Sequence, residues 1–186
     1  MNYSLRTMEL SRLLDEFFRS RAETLDKALD ALLRSLESNH KILVFGNGGS
    51  AAEAQHFAAE LVNKFRKVRP AIPALAFTTD TSVLTSIAND ASFASVFSRQ
   101  VEALGNAGDA AIGLSTSGDS PNVVRALRSA RRKGLVTLGL TGAGGGKAAP
   151  FCDFLLDVPS SATPLIQEVH LVILHILAEG IEARLS

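Results

Sequence analysis

Five short apolar runs, Ile42–Phe45, Ala74–Phe77, Ala110–Leu114, Val136–Leu140 and Phe154–Val158, constrain this chain more than any other feature. None alternates polar with apolar residues, so each expects cover on both faces. Helical periodicity fills the intervals: Ser50–Phe65, a broken pair across Ser82–Leu104, Asn122–Lys133 and a last helix from about Thr163 to Leu185. Buried strands joined by helices predict an α/β fold: a five-stranded parallel sheet with helices on both faces, a flavodoxin-like three-layer sandwich. Before the first strand, Tyr3–Ser38 reads as helix with an interruption. Leu10, Leu13, Leu14, Phe17 and Phe18 form one apolar stripe, and Leu25, Ala28, Leu29, Leu32, Leu33 and Leu36 a second. A lone domain of this size has little core left to cover so much leucine, so one face of this segment, residues 1–38, is expected to meet another subunit. Gly142–Gly146 reads as a tight βα turn rather than a linker.

Two of the strands run into turns of a particular kind. Ser115-Thr116-Ser117-Gly118-Asp119-Ser120-Pro121 follows the third strand and opens a helix, with Ser120 as a natural N-cap and Pro121 suited to the first helical position. Backbone N–H groups, the positive end of the helix dipole and four hydroxyls converge there, which is what a phosphate ester needs from a neutral pocket. An ordinary serine-capped turn would carry the same residues, but a second turn, Gly46-Asn47-Gly48-Gly49-Ser50, follows the first strand. Its glycines permit positive φ and close approach of a ligand to the backbone. Its spacing lacks the third glycine of a dinucleotide fingerprint, and no Walker lysine follows. Two such turns at the carboxyl ends of parallel strands predict one crevice for a small phosphorylated metabolite.

Composition bounds the alternatives. The 186 residues, 46% of them hydrophobic, suit one well-buried domain over 1–186 and are too few for two typical ones. Nineteen basic and nineteen acidic side chains cancel, so no overall field favours nucleic acid or anionic lipid. The lone Cys152 cannot form an internal disulfide, and Arg6, Glu9 and Arg12 stand where a signal peptide needs an apolar core. No uninterrupted run reaches the ~18 apolar residues of a membrane span. A cytoplasmic chain with neither nucleic-acid nor membrane partners is expected.

The titratable groups add chemistry. His56 and Glu60, four residues apart after the glycine loop, project from one helix face and could share a ligand. On the last helix Gln167, Glu168, His170 and His175 interrupt an otherwise apolar pattern, so they need partners once buried. A lone histidine there would be a satisfied core residue. With His56 and Glu60 available on another helix, a metal or acid–base site is the stronger reading. Helical spacing accommodates Gln167 or Glu168 with His175 and does not choose between them.

The segments Gly46-Asn47-Gly48-Gly49-Ser50-Ala51, His56-Phe57-Ala58-Ala59-Glu60-Leu61, Ile87-Ala88-Asn89-Asp90, Phe97-Ser98-Arg99-Gln100-Val101, Ser115-Thr116-Ser117-Gly118, Leu140-Thr141-Gly142 and Ile166-Gln167-Glu168-Val169-His170 through His175 together resemble the bacterial phosphoheptose isomerases. These are sugar-isomerase (SIS) domain proteins that convert sedoheptulose 7-phosphate into D-glycero-D-manno-heptose 7-phosphate. The resemblance runs in order along nearly the whole chain. It implies a general base and metal ligand at Glu60, a general acid and metal ligand at His175, and His56 and Gln167 completing a zinc site, so it selects Gln167 over Glu168. It puts the substrate at Asn47, Gly48, Gly49, Ser50, Glu60, Asn89, Asp90, Ser115, Thr116, Ser117, Ser120 and Gln167. Lys64 stands where many relatives carry arginine and would meet a phosphate as a point charge without bidentate geometry. One Zn2+ per subunit in a labile site, a homotetramer with sites at subunit interfaces, and a product entering lipopolysaccharide or capsule heptose are also implied.

These residue types suit the reaction. Turning a ketose into an aldose moves a proton between C1 and C2 through an enediol, which needs a base at the C–H and an acid at the carbonyl oxygen. Two alternatives share the fold. The DnaA initiator-associated proteins resemble this chain over the glycine loop but lack an acid–base pair at Glu60 and His175, and an isomerase for an arabinose or hexose phosphate would use the same machinery.

Overall fold

The apolar runs become strands because neither face of any central strand could tolerate water. The computed structural model describes residues 3–185. Strands β1 (Ile42–Gly46), β2 (Ala74–Ala76), β3 (Ala110–Ser115), β4 (Val136–Thr141) and β5 (Phe154–Asp157) pair in parallel in the order β2-β1-β3-β4-β5. All residues of β1 and β3 are buried. Their side chains alternate between two cores, Ile42, Val44, Ala110 and Ile112 facing one and Leu43, Phe45 and Ala111 the other.

Helices α1 (Tyr3–Glu37), α2 (Gly49–Val62) and α6 (Thr163–Leu185) cover the first face. Helices α3 (Thr81–Asp90), α4 (Val96–Leu104) and α5 (Pro121–Arg132) belong to the second, where Phe45 stacks between Phe77 and Phe97 at 6.1 and 5.5 Å. The broken pair after β2 is α3 and α4, with a 3-10 turn at Phe93–Ser95 between them. The glycine cluster at 142–146 is a βα turn as expected, running into a 3-10 turn, Gly146–Phe151.

The expected interruption in the first helix is absent: α1 is one helix of 35 residues, about 52 Å long at 1.5 Å per residue. The two leucine stripes are one stripe with a charged residue at the join. Arg21 occupies that position, and its Nε reaches Asp157 Oδ1 at the end of β5, 2.7 Å away. No glycine or proline lies within the segment to break it. Most of the second stripe is buried in the chain's own core, with Ala28 and Leu32 wholly inaccessible, as is Phe17 of the first. Along α1 the most exposed large apolar residues are Tyr3, Leu5 and Met8, in its first turns.

Helix α6 is long and apolar enough to cross a membrane by length and composition, which the run-by-run reading of the sequence did not anticipate. Half of that stretch is buried in the core, where Leu165, Ile166, Val169, Ile173, Leu174 and Leu177 close the first layer.

His170 lies on that buried side with no exposed surface. Its Nε2 meets the carbonyl of Thr141 at 3.1 Å, so this ring nitrogen carries the proton and donates. Nδ1 is buried without a partner. Burial pushes its pKa down to about 4, partly countered by the Thr141 bond. A folded value below the unfolded ~6.5 favours folding fully above that pH and progressively less as pH falls toward about 4. From about pH 7 to about pH 4.5 the wild type should therefore lose about 2–3 kcal/mol relative to His170→Leu, read by urea unfolding of both proteins at each pH. Taking the difference removes the opposite drift from Glu53, whose raised pKa acts alike in both. A constant difference across that range would show that His170 does not titrate in the unfolded chain alone.

Candidate active site

The chain folds its two polar turns side by side because β1 and β3 are neighbours. The strand order reverses at this pair, and ligands of open α/β sheets bind in the crevice such a reversal leaves at the carboxyl ends. The glycine loop ends in Gly48, whose φ of 56° only glycine adopts without strain, and then starts α2. The serine turn closes through Gly118 N–H to Ser115 O at 2.9 Å, with Gly118 at φ 69°. A side chain at Gly118 would collide with the carbonyl of Gly145, so the 142–146 loop presses directly on the back of the turn. Gly142 N–H also donates to Thr116 O at 3.0 Å.

Within the turn the hydroxyls take partners the sequence reading did not assign. Ser120 stands at the N-cap position of α5 and Pro121 at its first turn, as expected, but the Ser120 side chain makes no capping bond. Its Oγ lies 3.0 Å from Ser115 Oγ, and Val123 N–H is taken by Asn122 Oδ1 at 3.0 Å. Thr116 Oγ1 lies 3.4 Å from Thr163 Oγ1 at the start of α6. Ser117 is exposed, with its Oγ accepting from Asp119 N–H at 3.1 Å. The hydroxyls of the turn thus bond to one another, to Thr163 and to the turn's own backbone rather than capping α5.

Asn47, expected to face substrate, has its carboxamide engaged elsewhere. Asn47 Nδ2 donates to Asn122 Oδ1 at 2.9 Å and Asn122 Nδ2 donates to Asn47 Oδ1 at 2.8 Å. Asn122 is 2% exposed. This reciprocal amide pair ties the glycine loop to the helix of the serine turn. Sequence reasoning passed over Asn122 because an amide in the first turn of an amphipathic helix looks like surface. A small cavity of about 160 Å³ opens beside the pair, lined by Asn47, Phe93, Ala94, Ser120, Pro121 and Asn122.

The second group of candidates lies between α2 and α6. His56 Nε2 is 2.8 Å from His175 Nε2 and 3.4 Å from Glu60 Oε1. The three ligand atoms lie within 4.8 Å of one another. Two imidazole nitrogens at 2.8 Å require either one shared proton or lone pairs aimed at one cation. Ligands about 2.0–2.1 Å from a tetrahedral zinc stand about 3.3 Å apart. The His56–Glu60 spacing meets that, and the histidine pair needs only a small opening, so two imidazoles and a carboxylate fit a divalent ion with one position open.

The choice between Gln167 and Glu168 is made by their neighbours. Glu168 turns outward to Arg6 of α1, with contacts of 2.6 and 2.7 Å. Gln167 turns to the glycine loop, its Nε2 3.4 Å from Ser50 Oγ, and a Cβ at Gly49 would strike its carboxamide. Gln167 therefore sits two turns of α6 before His175, on the glycine-loop side of the His56–Glu60–His175 cluster.

Glu53 was missed. It lies on the same helical stripe as His56 and Glu60, at offsets of three and seven. Its Oε2 is buried without a partner, and burial alone pushes the carboxyl up to about 7. The offset pattern was the available signal. Other expected residues are not drawn in. Asn89 and Asp90 end α3 exposed, with Asn89 Nδ2 donating to Asp90 Oδ1 at 2.7 Å. Lys64 is exposed beyond the end of α2, which stops at Val62 rather than at the expected Phe65 because the chain turns at Asn63.

Residues 7–142 match the model of the SIS domain family. The chain is 54% identical to a phosphoheptose isomerase of Nitratidesulfovibrio vulgaris over 173 residues, covering 91% of this chain and 82% of that protein. Among solved structures it is similar to a phosphoheptose isomerase from Neisseria gonorrhoeae, with TM-score 0.91 and 42% identity over 97% of this chain and 96% of that one. A phosphoheptose isomerase from Francisella tularensis gives TM-score 0.88 at 34% identity, covering 98% and 100% respectively.

The amide pair yields a direct test. Asn47→Ala leaves the buried Asn122 carboxamide without its partner amide, and Asn122→Ala the half-buried Asn47 carboxamide; each should cost about 1–3 kcal/mol in denaturant unfolding. The double variant should cost little more than either single one, a coupling readable from the four-protein cycle. Additive costs would show that the two amides act independently.

Proposed function

The chain belongs to the SIS domain family and, within it, to the phosphoheptose isomerases, and on that premise we propose that it converts sedoheptulose 7-phosphate into D-glycero-D-manno-heptose 7-phosphate. The observation that carries this reading is the convergence of His56, Glu60 and His175 on one point, a short distance along α2 from a neutral phosphate-type crevice. The activity is that of an aldose–ketose isomerase.

Glu60 takes the C1 proton of the ketose and returns it at C2, while His175 gives a proton to O2 and recovers one from O1, so the balance closes through an enediol. His56 orients His175 through their 2.8 Å contact. Ser115, Thr116, Ser117 and Ser120 receive the phosphate, with Gly48, Gly49 and Ser50 forming the opposite wall and Gln167 reaching the sugar between them. His56, Glu60 and His175, with Gln167 as the fourth ligand implied by the resemblance, would hold one zinc ion per subunit. When bound, zinc would polarise the substrate carbonyl. An amide ligand is unusual for zinc and suits a labile site.

A homotetramer is part of the proposal. The exposed apolar start of α1 and the partly exposed Leu171, Val172 and Ile176 flanking His175 on α6 support it. Through such a contact the exposed Asn89, Asp90 and Lys64 would meet a neighbour's substrate. The cytoplasm as location, and lipopolysaccharide or capsule heptose as the destination of the product, complete the proposal.

Purified protein supplied with zinc should form heptose 7-phosphate from sedoheptulose 7-phosphate, followed by NMR or mass-resolved chromatography. Absence of turnover would remove the assignment. Glu60→Gln and His175→Gln should each lower turnover by ~10²-fold or more while the fold survives. Near-native turnover at saturating substrate in either variant would disprove that residue's role.

A further inference from the structure

Arg69 and Glu182 form an ion pair that none of the chemistry above uses, with side chains only 1% and 3% exposed. Burying two charges is costly unless their remaining lone pairs and N–H groups find partners. Here most do: Glu182 is held by the loop that follows α2 and Arg69 by the last carbonyls of that helix, while Arg69 Nε faces Glu182 without a hydrogen bond of its own. Glu182 Oε1 accepts from Phe65 N–H at 3.0 Å, and Oε2 accepts from the N–H groups of Arg66 at 2.8 Å and Lys67 at 3.0 Å. Arg69 Nε lies 3.3 Å from Glu182 Oε1. Its Nη2 donates to the carbonyl of Glu60 at 2.8 Å, and its Nη1 to the carbonyls of Leu61 at 2.8 Å and Pro70 at 3.0 Å.

Helix α2 lacks the left-handed glycine that commonly closes a helix, since its C-cap Asn63 has φ −94° and ψ −84°. The guanidinium of Arg69 does that work, and one carbonyl it holds belongs to Glu60 itself. On the other side, the loop fixed by Glu182 carries Phe65, whose ring centroid lies 5.5 Å from that of His175. Glu182 and His175 are seven residues apart on α6, on the same side of that helix.

We propose that Arg69 and Glu182 are positioning residues for the isomerisation, clamping the end of α2 and the Phe65 loop to α6 and so fixing the Glu60 carboxylate relative to the His175 imidazole. This rests on the reading that Glu60 and His175 move the protons. A misplacement of about 1 Å between such groups can cost ~10²-fold in rate.

Glu182→Gln keeps the shape but leaves one carbonyl oxygen for three N–H groups, and Arg69→Lys keeps the charge but cannot fork onto both carbonyls of α2. Asp109→Asn is the stability control. It removes a carboxylate 1% exposed at the opposite end of the sheet, where Asp109 binds Lys41 Nζ at 2.6 Å. Measured well below each protein's melting point, kcat should fall ~10-fold or more in Arg69→Lys and Glu182→Gln, with KM changed less than about threefold and kcat of Asp109→Asn unchanged. Folded variants with kcat within about twofold of wild type would overturn the proposal, as would an equal loss in Asp109→Asn. If Glu182→Gln does not fold, Arg69→Lys alone decides. If the wild type does not turn over sedoheptulose 7-phosphate, the assigned reaction has failed and amide hydrogen exchange decides the clamp. Faster exchange at 60–67 in Arg69→Lys supports it, and unchanged exchange there overturns it.

Discussion

The docking of α2 against α6 on one face of the sheet is the interaction on which the site depends. Both helices begin at the carboxyl ends of strands and descend in the same direction, so their first turns meet at the crevice and their middle turns meet each other. Gln167 touches Gly49 and Ser50 at the upper level, and His175 touches His56 at the lower. Alanines at 51, 52, 54, 58 and 59 keep α2 slim, and Ala54, Phe57, Ala58 and Leu61 pack in the same core as Ile166, Val169, Ile173 and Leu177. Apolar packing joins the two helices, and the Arg69–Glu182 pair ties the end of α2 and the loop after it to α6. Between these contacts three ligand atoms lie within 4.8 Å of one another.

The far side of the crevice is held by a different chain of contacts. Asp157, at the end of β5, takes Arg21 of α1 on one oxygen and Gly144 N–H at 3.2 Å on the other. Burial pushes its carboxyl up, but the Arg21 and Gly144 bonds more than offset that, leaving it below the ordinary carboxylate range. The 142–146 loop so fixed is the one pressed against Gly118. The long first helix thus reaches the serine turn through two intermediates, Asp157 and the 142–146 loop, and the charge that seemed to interrupt its leucine stripe is what grips the first of them.

What could be read from sequence follows from how local each determinant is. Strands buried on both faces are local facts about runs of five residues, and His56 with Glu60 is a local fact about one turn of helix, so both were legible. Continuity of α1 was not, because Arg21 counts as an interruption until its partner, 136 residues away, is known. The choice of Gln167 over Glu168 depended on Arg6 and Gly49, which no spacing argument includes. Asn122 and Glu182 each look like surface residues of an amphipathic helix. Their burial is a consequence of loops that fold back over them, and those loops have no periodicity to announce it.

On the proposed reading the serine turn receives a dianion on a chain of zero net charge. The serine turn presents hydroxyls, and the one carboxylate within it, Asp119, is turned back so that its Oδ1 accepts Lys147 N–H at 3.0 Å. Hydroxyls are donors and acceptors at once, so Ser115 and Ser120 can pair with each other, as they do at 3.0 Å. A phosphate needs only to rotate those hydroxyls to gain their protons, and no buried cation has to be stripped of a counter-ion first. On that reading the affinity comes from a contest between hydroxyl–hydroxyl and hydroxyl–phosphate bonds, in which the charged acceptor makes a bond roughly twice as strong.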